Sequence, residues 1–172
     1  WPEHPSFSDR LGNQGGGSGQ GQNLYPKAPT GWSGTCQAGE EFAANTCNDK
    51  VLGARFYSDG IGALPAWEYA SPRDFGGHGT HTASTAGGNF NIQPTGDAAS
   101  FSPISGMAPY ARLAIYKACF VITLGTSGSC NSLDTTAAID QAVADGVDAL
   151  NYSISGTSTA FTNITEAAFL FA

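Results

Sequence analysis

The chain has 172 residues, of which 41% are hydrophobic and only 12% are charged, and it contains 23 glycines. This composition excludes an intrinsically disordered protein and predicts one compact, loop-rich domain with a sizeable core. The formal net charge of −7 disfavours nucleic acid or an anionic membrane surface as a partner, and no apolar run approaches the roughly 20 residues that span a bilayer.

The first part of the chain is predicted to be mostly loop. Residues 1–9 contain two prolines and no periodicity, so we expect an extended segment in which His4 and Asp9 are solvated. Residues 11–23 are rich in Gly, Gln, Ser and Asn, and we expect a glycine-rich surface loop that cannot bury enough area to order itself.

The four cysteines form two local pairs, each closing a short loop rich in small polar residues. Cys36 would pair with Cys47, and Cys119 with Cys130. Because there is no Cys-x-x-Cys spacing, zinc is disfavoured, and two disulfides in a secreted protein are the preferred interpretation. Other pairings, and free buried thiols in a cytosolic protein, remain open alternatives.

Two strands are predicted in the first two thirds of the chain. Residues 51–57 have the apolar and aromatic content of a strand, and Trp32 is expected to pack beneath the loop that precedes them. Residues 113–121 form an apolar run with aromatic and β-branched members, bounded by a proline turn and a Gly/Ser loop. This run fits a strand that is covered on both faces.

A helix at residues 133–145 and a buried strand at 147–154 are predicted next. Ser132 is the expected N-cap, Asp134 lies near the positive end of the helix, and Gly146 is the expected stop. The inward stripe of the helix should contain three apolar residues, Ile139, Ala142 and Val143. Strand, helix and strand in succession predict a right-handed βαβ unit of a parallel sheet.

The densest functional pattern lies at residues 77–83, which read Gly-His-Gly-Thr-His-Thr-Ala. The glycines permit a tight backbone approach, and the small residues that follow can form a closely packed helix. His78 in the first turn would project from the end of the scaffold, where an imidazole can accept a proton from a hydroxyl nucleophile. A metal bound by His78 and His81 is a weak alternative, because no third ligand is placed near them. We predict neither a metal nor a cofactor.

These residues resemble the histidine motif of the subtilisin-like serine proteases, the subtilases. Ser-Pro-Arg-Asp at 71–74 and Ser-Thr-Ala-Gly at 84–87 are similar to the cucumisin-like branch. Further segments resemble the family in the same order, so that the resemblance covers nearly the whole chain; they are residues 1–9, 31–57, 106–119 and 145–156. Close relatives usually carry an acidic residue where this chain has Gly76.

The resemblance implies an α/β fold, namely the three-layer parallel-sheet subtilisin-like fold, truncated at both ends, with residues 1–172 forming a partial catalytic domain. It implies a secreted serine endopeptidase that acts on protein or peptide substrates. His78 would be the catalytic base, and His81 a structural residue facing the interior. Main-chain groups at the end of the 147–154 strand would pair with extended substrate, at Ser153, Ile154, Ser155 and Gly156.

The remaining two members of the catalytic triad are expected outside this chain. In the family a segment similar to residues 1–9 follows the catalytic aspartate, which would therefore precede Trp1. Residues 156–160 superficially resemble the nucleophile motif but directly follow the substrate strand, so Ser158 is predicted to be a loop hydroxyl. The chain alone is therefore expected to be inactive. The alternative is a non-catalytic subtilase-like module that binds peptide along residues 153–156.

Overall fold

The computed structural model describes residues 1–10, 21–126, 128–156 and 162–172. Most of the predicted loop at 11–23, and residues 157–160 of the pentad that contains Ser158, lie outside these residues. Within them, no helix has both the length and the apolar character that crossing a membrane requires.

A parallel pair of strands forms the centre of the described fold. Strand β1 spans Val51–Phe56 and strand β2 spans Leu113–Lys117. At the other edge of β1, Cys36 forms a parallel bridge with Ala54. Helix α1, His78–Gly87, lies in the connection between β1 and β2, as expected for a parallel crossover. The α/β class and the first predicted strand are confirmed.

Two further α-helices lie in the C-terminal part of the chain. Helix α2 spans Ser132–Asp145, and helix α3 spans Ile164–Phe171. The buried hydroxyls of Thr135 and Thr165 lie 3.0 Å apart and join the two helices.

Both α1 and α2 contact strand β2. A Cβ added to Gly87 of α1 would lie 2.7 Å from Leu113 Cδ2, so a larger residue here would require the Leu113 side chain to move. The Tyr116 hydroxyl donates to Asp145 Oδ2 of α2 at 2.8 Å. The strand pair is therefore held by a close apolar contact to one helix and a polar contact to the other.

Asp145, at the end of α2, joins three elements. Its side chain is buried and accepts hydrogen bonds from Arg55 Nε of β1 at 3.1 Å, from Tyr116 of β2, and from Gln141 Nε2 at 2.7 Å. Burial acts to raise the pKa of Asp145, but the hydrogen bonds from Arg55, Tyr116 and Gln141 outweigh it and hold the pKa below its ordinary value. The satisfied carboxylate fixes α2 against both strands.

Helix α2 has a different cap from the one predicted. Asn131, and not Ser132, is the N-cap, because its side-chain oxygen accepts the Leu133 N–H at 2.9 Å and its amide donates to the Gly60 carbonyl at 2.8 Å. A carboxamide can accept and donate at once, which favours asparagine in this position. Gly146 ends the helix with φ 88°, as predicted.

The inward face of α2 differs from prediction at one position. Ile139 and Ala142 are buried, but Val143 is 45% exposed. At about 100° per residue, Val143 lies about 140° around the helix from Ala138, beyond Ile139 at the margin of the buried face. The assignment of Val143 to the core was wrong.

The predicted strand at 113–121 is divided in two. The last bond between the parallel strands joins the Tyr57 N–H to the Lys117 carbonyl at 2.8 Å. Strand β3, Cys119–Phe120, then pairs antiparallel with strand β4, Ser129–Cys130, and a disulfide joins Cys119 to Cys130. The residues of β3 therefore pair with β4, because β1 has already ended.

Residues 147–154 do not form the predicted buried strand. The Val147 N–H bonds to the Ala142 carbonyl at 3.2 Å, and the main chain of 148–154 forms no backbone hydrogen bond to any described residue. The segment is exposed or half-buried throughout. A strand needs a hydrogen-bonded neighbour, which the described residues do not supply. The βαβ unit predicted for 113–154 is therefore absent from the described structure.

The N-terminal segment is more ordered than predicted. It contains a 3₁₀ turn, Pro5–Phe7, and Asp9, expected to be solvated, is 1% exposed. Asp9 Oδ2 accepts the Asp49 N–H at 3.2 Å, and Asp9 Oδ1 lies 3.5 Å from Arg10 Nε. Asp9 is thus buried with Oδ2 hydrogen-bonded, whereas Oδ1 has only the ion pair with Arg10 and no hydrogen bond within the described residues. His4 is exposed, as predicted.

The second disulfide joins Cys36 to Cys47, which is the local pairing that the sequence favours. The Trp32 ring packs nearby, and a Cβ added to Gly53 of β1 would lie 2.8 Å from Trp32 Cζ2. Trp32 therefore serves as a packing residue beside β1, as predicted.

Candidate active site

His78 is the first residue of α1, and its side chain is exposed. The preceding N-cap, Gly77, has φ 85°, a left-handed conformation that glycine adopts without strain. The first helical hydrogen bond runs from the His81 N–H to the Gly77 carbonyl at 3.0 Å. His78 therefore projects at the point where a loop becomes a helix. Its catalytic role remains a prediction.

Asp74 supplies the cap that Gly77 cannot provide. Asp74 Oδ1 accepts the Gly77 N–H at 2.8 Å, and Oδ2 accepts both the N–H and the hydroxyl of Thr80, at 2.8 and 2.7 Å. Burial acts to raise the pKa of Asp74, but the bonds from Thr80 and Gly77 outweigh it and hold the pKa below 3.8. An ionised carboxylate thus lies at the positive end of α1.

A buried ion pair anchors the segment that precedes Asp74. Lys117 Nζ donates to Glu68 Oε1 at 2.8 Å, to the Arg73 carbonyl at 2.7 Å and to the Tyr69 carbonyl at 3.1 Å. Glu68 Oε2 accepts the Val121 N–H at 2.7 Å. Burial lowers the pKa of Lys117 below 10.5, although Glu68 opposes this shift. The end of β2 is thereby tied to residues 68–73.

Trp1 lies against the same helix start. Its amino nitrogen donates to Thr80 Oγ1 at 3.1 Å, and the Arg73 guanidinium lies 4.4 Å from the centre of its ring. Arg73 also pairs with Glu3, with 2.9 Å between Nη1 and Oε1. Residues 1–3 are thus held beside the turn that carries His78, although they are distant from it in sequence.

His81 is exposed, and the prediction that it faces the interior was wrong. Helix α1 meets its neighbours mainly at its C-terminal end. There Gly87 is buried, and the Met107 and Ala108 N–H groups donate to the carbonyls of Thr85 and Ala86 at 2.8 and 2.9 Å. Small residues suit this close contact, and the first turn, with both histidines, is left at the surface.

The predicted substrate-binding residues lie on the segment that follows α2. Ser153, Ser155 and Gly156 are exposed and Ile154 is half-buried. Nearby, Tyr152 packs edge-on against Phe169 of α3, with ring centres 5.1 Å apart. Within the described residues, no hydrogen bond joins this segment to the turn that carries His78. The structure thus places the two parts of the predicted site on separate elements.

The comparisons with known proteins decide the family. The model of the Subtilase family, Peptidase_S8, matches residues 2–169. The chain belongs to the subtilase family. It is 39% identical to Subtilisin-like protease SBT3.5 over 163 residues, 40% to SBT1.5 over 161 and 41% to SBT1.4 over 167, all from Arabidopsis thaliana. These alignments cover 90%, 91% and 93% of the chain.

This subtilase chain spans about a fifth of the length of those relatives, since the alignments cover 19%, 18% and 19% of them. The family membership supports a peptidase function, and the two disulfides fit an extracellular protein. The expected resemblance to plant subtilases of the cucumisin-like type is confirmed.

Sequence reasoning missed the residues that support the His78 turn. Asp74 was noted as part of a motif but not as a cap, although a carboxylate shortly before a glycine-led helix is a signal that could have identified it. Glu68 and Lys117 are 49 positions apart. Because they lie on different elements, no local pattern indicated their contact.

Proposed function

We propose that this chain is the histidine-bearing part of a secreted serine endopeptidase that hydrolyses protein or peptide substrates. His78 acts as the general base: it takes the proton of a serine hydroxyl as that oxygen attacks the peptide carbonyl, and returns it to the leaving amine. The serine, and the aspartate that orients His78, belong to other parts of a longer polypeptide. The greater length of the relatives and their printed names support this division.

The observation that carries the proposal is the position of Trp1. Its nitrogen lies 3.1 Å from Thr80 Oγ1, two residues from the exposed His78. A segment that leads into Trp1 would therefore arrive beside the His78 turn. This is where an aspartate that orients the imidazole is needed.

Substrate binding is proposed at residues 153–156. Their main-chain groups form no hydrogen bond within the described parts of the chain, so they can pair with an extended peptide. Main-chain pairing holds a peptide without requiring particular side chains. We therefore expect binding here to depend weakly on the substrate side chains that face away from this segment.

The proposed architecture is the three-layer subtilisin-like fold, with further strands supplied by the longer polypeptide. Its support lies in β2, where Leu113 contacts α1 and Tyr116 contacts α2. Residues separated by an odd number of positions point to opposite faces of a strand. Contacts with α1 and α2 on opposite faces of β2 support an architecture with helices on both sides of the sheet.

The test uses the full-length polypeptide that contains this chain. We expect it to react with a fluorophosphonate probe directed at activated serines and to cleave an unfolded protein. His78→Ala should lower kcat/KM at least about 10³-fold, because the serine loses its base. His81→Ala is the matched control, an exposed histidine on the same helix, and should stay within a few-fold of the wild type.

Two results would contradict the proposal. One is a His78→Ala enzyme that retains wild-type activity. The other is a full-length protein that binds peptide but neither labels nor cleaves, which would indicate the non-catalytic module. The 172-residue chain by itself should not react with the probe, and labelling at Ser158 would overturn the prediction that the nucleophile lies elsewhere.

A further inference from the structure

We propose that Asp74 is a positioning residue for His78: its carboxylate, held in place through Lys117, fixes the backbone turn from which the His78 imidazole projects. This inference rests on the proposed function, because it assigns a role in presenting the general base. Asp74 is not itself expected to touch substrate.

The first step is that the His78 turn has no cap of its own. Gly77 is the N-cap and has no side chain, so the exposed helix start depends on a group from elsewhere. Asp74 provides it through three bonds of 2.7 to 2.8 Å, one to Gly77 on one side of His78 and two to Thr80 on the other. The residue that carries the imidazole is therefore bracketed by bonds to a single carboxylate.

The second step is that Asp74 is itself held. The carbonyl of Arg73, the preceding residue, accepts the Lys117 ammonium at 2.7 Å, and Lys117 is paired with the buried Glu68. Lys117 is also the last residue of β2. Asp74 is thus anchored, through Arg73 and Lys117, to the central strand pair.

The third step concerns the charge of the cap. The hydrogen bonds from Thr80 and Gly77 hold the pKa of Asp74 below its ordinary value, so the cap is an ionised carboxylate at the positive end of α1. The other charged groups around Asp74 are Lys117 and the Trp1 amino group, with Arg73 adjacent in sequence and paired with Glu3. In a longer polypeptide the Trp1 amino group is a neutral amide. Asp74 still accepts the three hydrogen bonds from Gly77 and Thr80 in that setting.

The experiment compares Asp74→Asn with the wild type in the full-length polypeptide. Asparagine keeps the shape of the side chain but loses the charge and one acceptor oxygen. We expect kcat to fall about tenfold, because the imidazole is less well oriented, while KM stays within about twofold. Asp74→Glu, which keeps the charge and both acceptor oxygens, should recover part of the lost kcat. An Asp74→Glu enzyme no faster than Asp74→Asn would contradict the role assigned to the carboxylate.

The matched control is Asp134→Asn. Asp134 is also a carboxylate that accepts two backbone N–H groups, those of Gly60 and Ile61 at 2.9 and 3.1 Å, but it lies on α2. A loss of stability alone should therefore affect both variants, whereas the fall in kcat at an unchanged KM should occur only in Asp74→Asn.

Nitrogen-15 NMR of the His78 turn separates this inference from the proposed function. If Asp74 positions His78, the Asp74→Asn variant changes the chemical shifts of the His78 imidazole and the exchange rate of the Thr80 N–H, whether or not the protein cleaves peptides. If the chemical shifts and the exchange rate match those of the wild type, the positioning role is overturned. If they shift in a protein that never hydrolyses peptide, the proposed function fails and the positioning role stands.

Discussion

Lys50 is a buried cation whose partners are neutral. Its side chain is 0% exposed, its ammonium donates to the carbonyls of Pro109 and Ala111 at 2.9 and 2.6 Å, and it lies 4.9 Å from the centre of the Tyr25 ring. Among the described residues, no carboxylate forms a salt bridge with Lys50. Burial lowers the pKa of Lys50 to about 8. The residue therefore links the loop before β2 to the start of β1 at an electrostatic cost that depends on pH.

This cost predicts a pH dependence of stability. The pKa of Lys50 is about 8 in the folded protein and 10.5 in the unfolded chain, so between these values the unfolded state binds more protons. The contribution of Lys50 to the free energy of unfolding should therefore rise with pH across this window, by at most about 1.4 kcal/mol per pH unit.

Urea unfolding of the wild type and of Lys50→Met, measured at several pH values between 7.5 and 9.5, checks this rise. The difference between the two curves isolates Lys50 from other titrating groups. Lys27→Met is the control, because Lys27 is exposed. If the difference in the free energy of unfolding between the wild type and Lys50→Met does not change with pH, the prediction is wrong.

At the scale of elements, two glycines at the start of helix α1, the N-cap Gly77 and the helical Gly79, play different roles. Gly77 has φ 85° and open space around its Cβ position, so its requirement is conformational and not steric. Gly79 is helical, and an added Cβ would lie 3.6 Å from Asp74 Oδ2, an ordinary contact.

Alanine substitutions should therefore have opposite signs. Gly77→Ala forces an L-residue into the left-handed region and should lower the free energy of unfolding by about 1–2 kcal/mol. Gly79→Ala improves helix propensity and should raise it by up to about 1 kcal/mol. Denaturant unfolding of both variants measures these changes in the free energy of unfolding. If both changes have the same sign, the two glycines do not play different roles.

The elements predicted correctly are those specified by local signals. Strand β1 and the C-terminal end of α2 follow from apolar content and from a glycine stop, which need no distant partner. The end of β2 and the segment 147–154 depend on which strand lies alongside, and that information is not local. The same division applies to the site: His78 was found from its motif, whereas the Lys117 contact with the Arg73 carbonyl joins residues 44 positions apart.

At the scale of the whole molecule, Asp145 connects elements from separate parts of the sequence. It joins Arg55 of β1 and Tyr116 of β2 to the end of α2, spanning 90 positions. Removing one member of such a buried network leaves the others without their charged partner.

Asp145→Asn should therefore lower the free energy of unfolding by about 2–4 kcal/mol. Asp140→Asn on the same helix is the control, because Asp140 is exposed, and it should change stability by less than about 0.5 kcal/mol. Thermal and urea unfolding would measure both. Equal effects of the two substitutions would show that the network contributes no more than a surface carboxylate.

The parallel pairing of β1 with β2 also has a consequence for the order of folding. Val51 lies opposite Leu113, so this pair closes a long stretch of chain, and the bond from Trp1 to Thr80 closes another. Such distant contacts carry a large entropy cost and form slowly, whereas α2 and the β3–β4 hairpin can form quickly from near neighbours. The surroundings of His78 should thus be among the last parts of the molecule to assemble, after most local structure already exists.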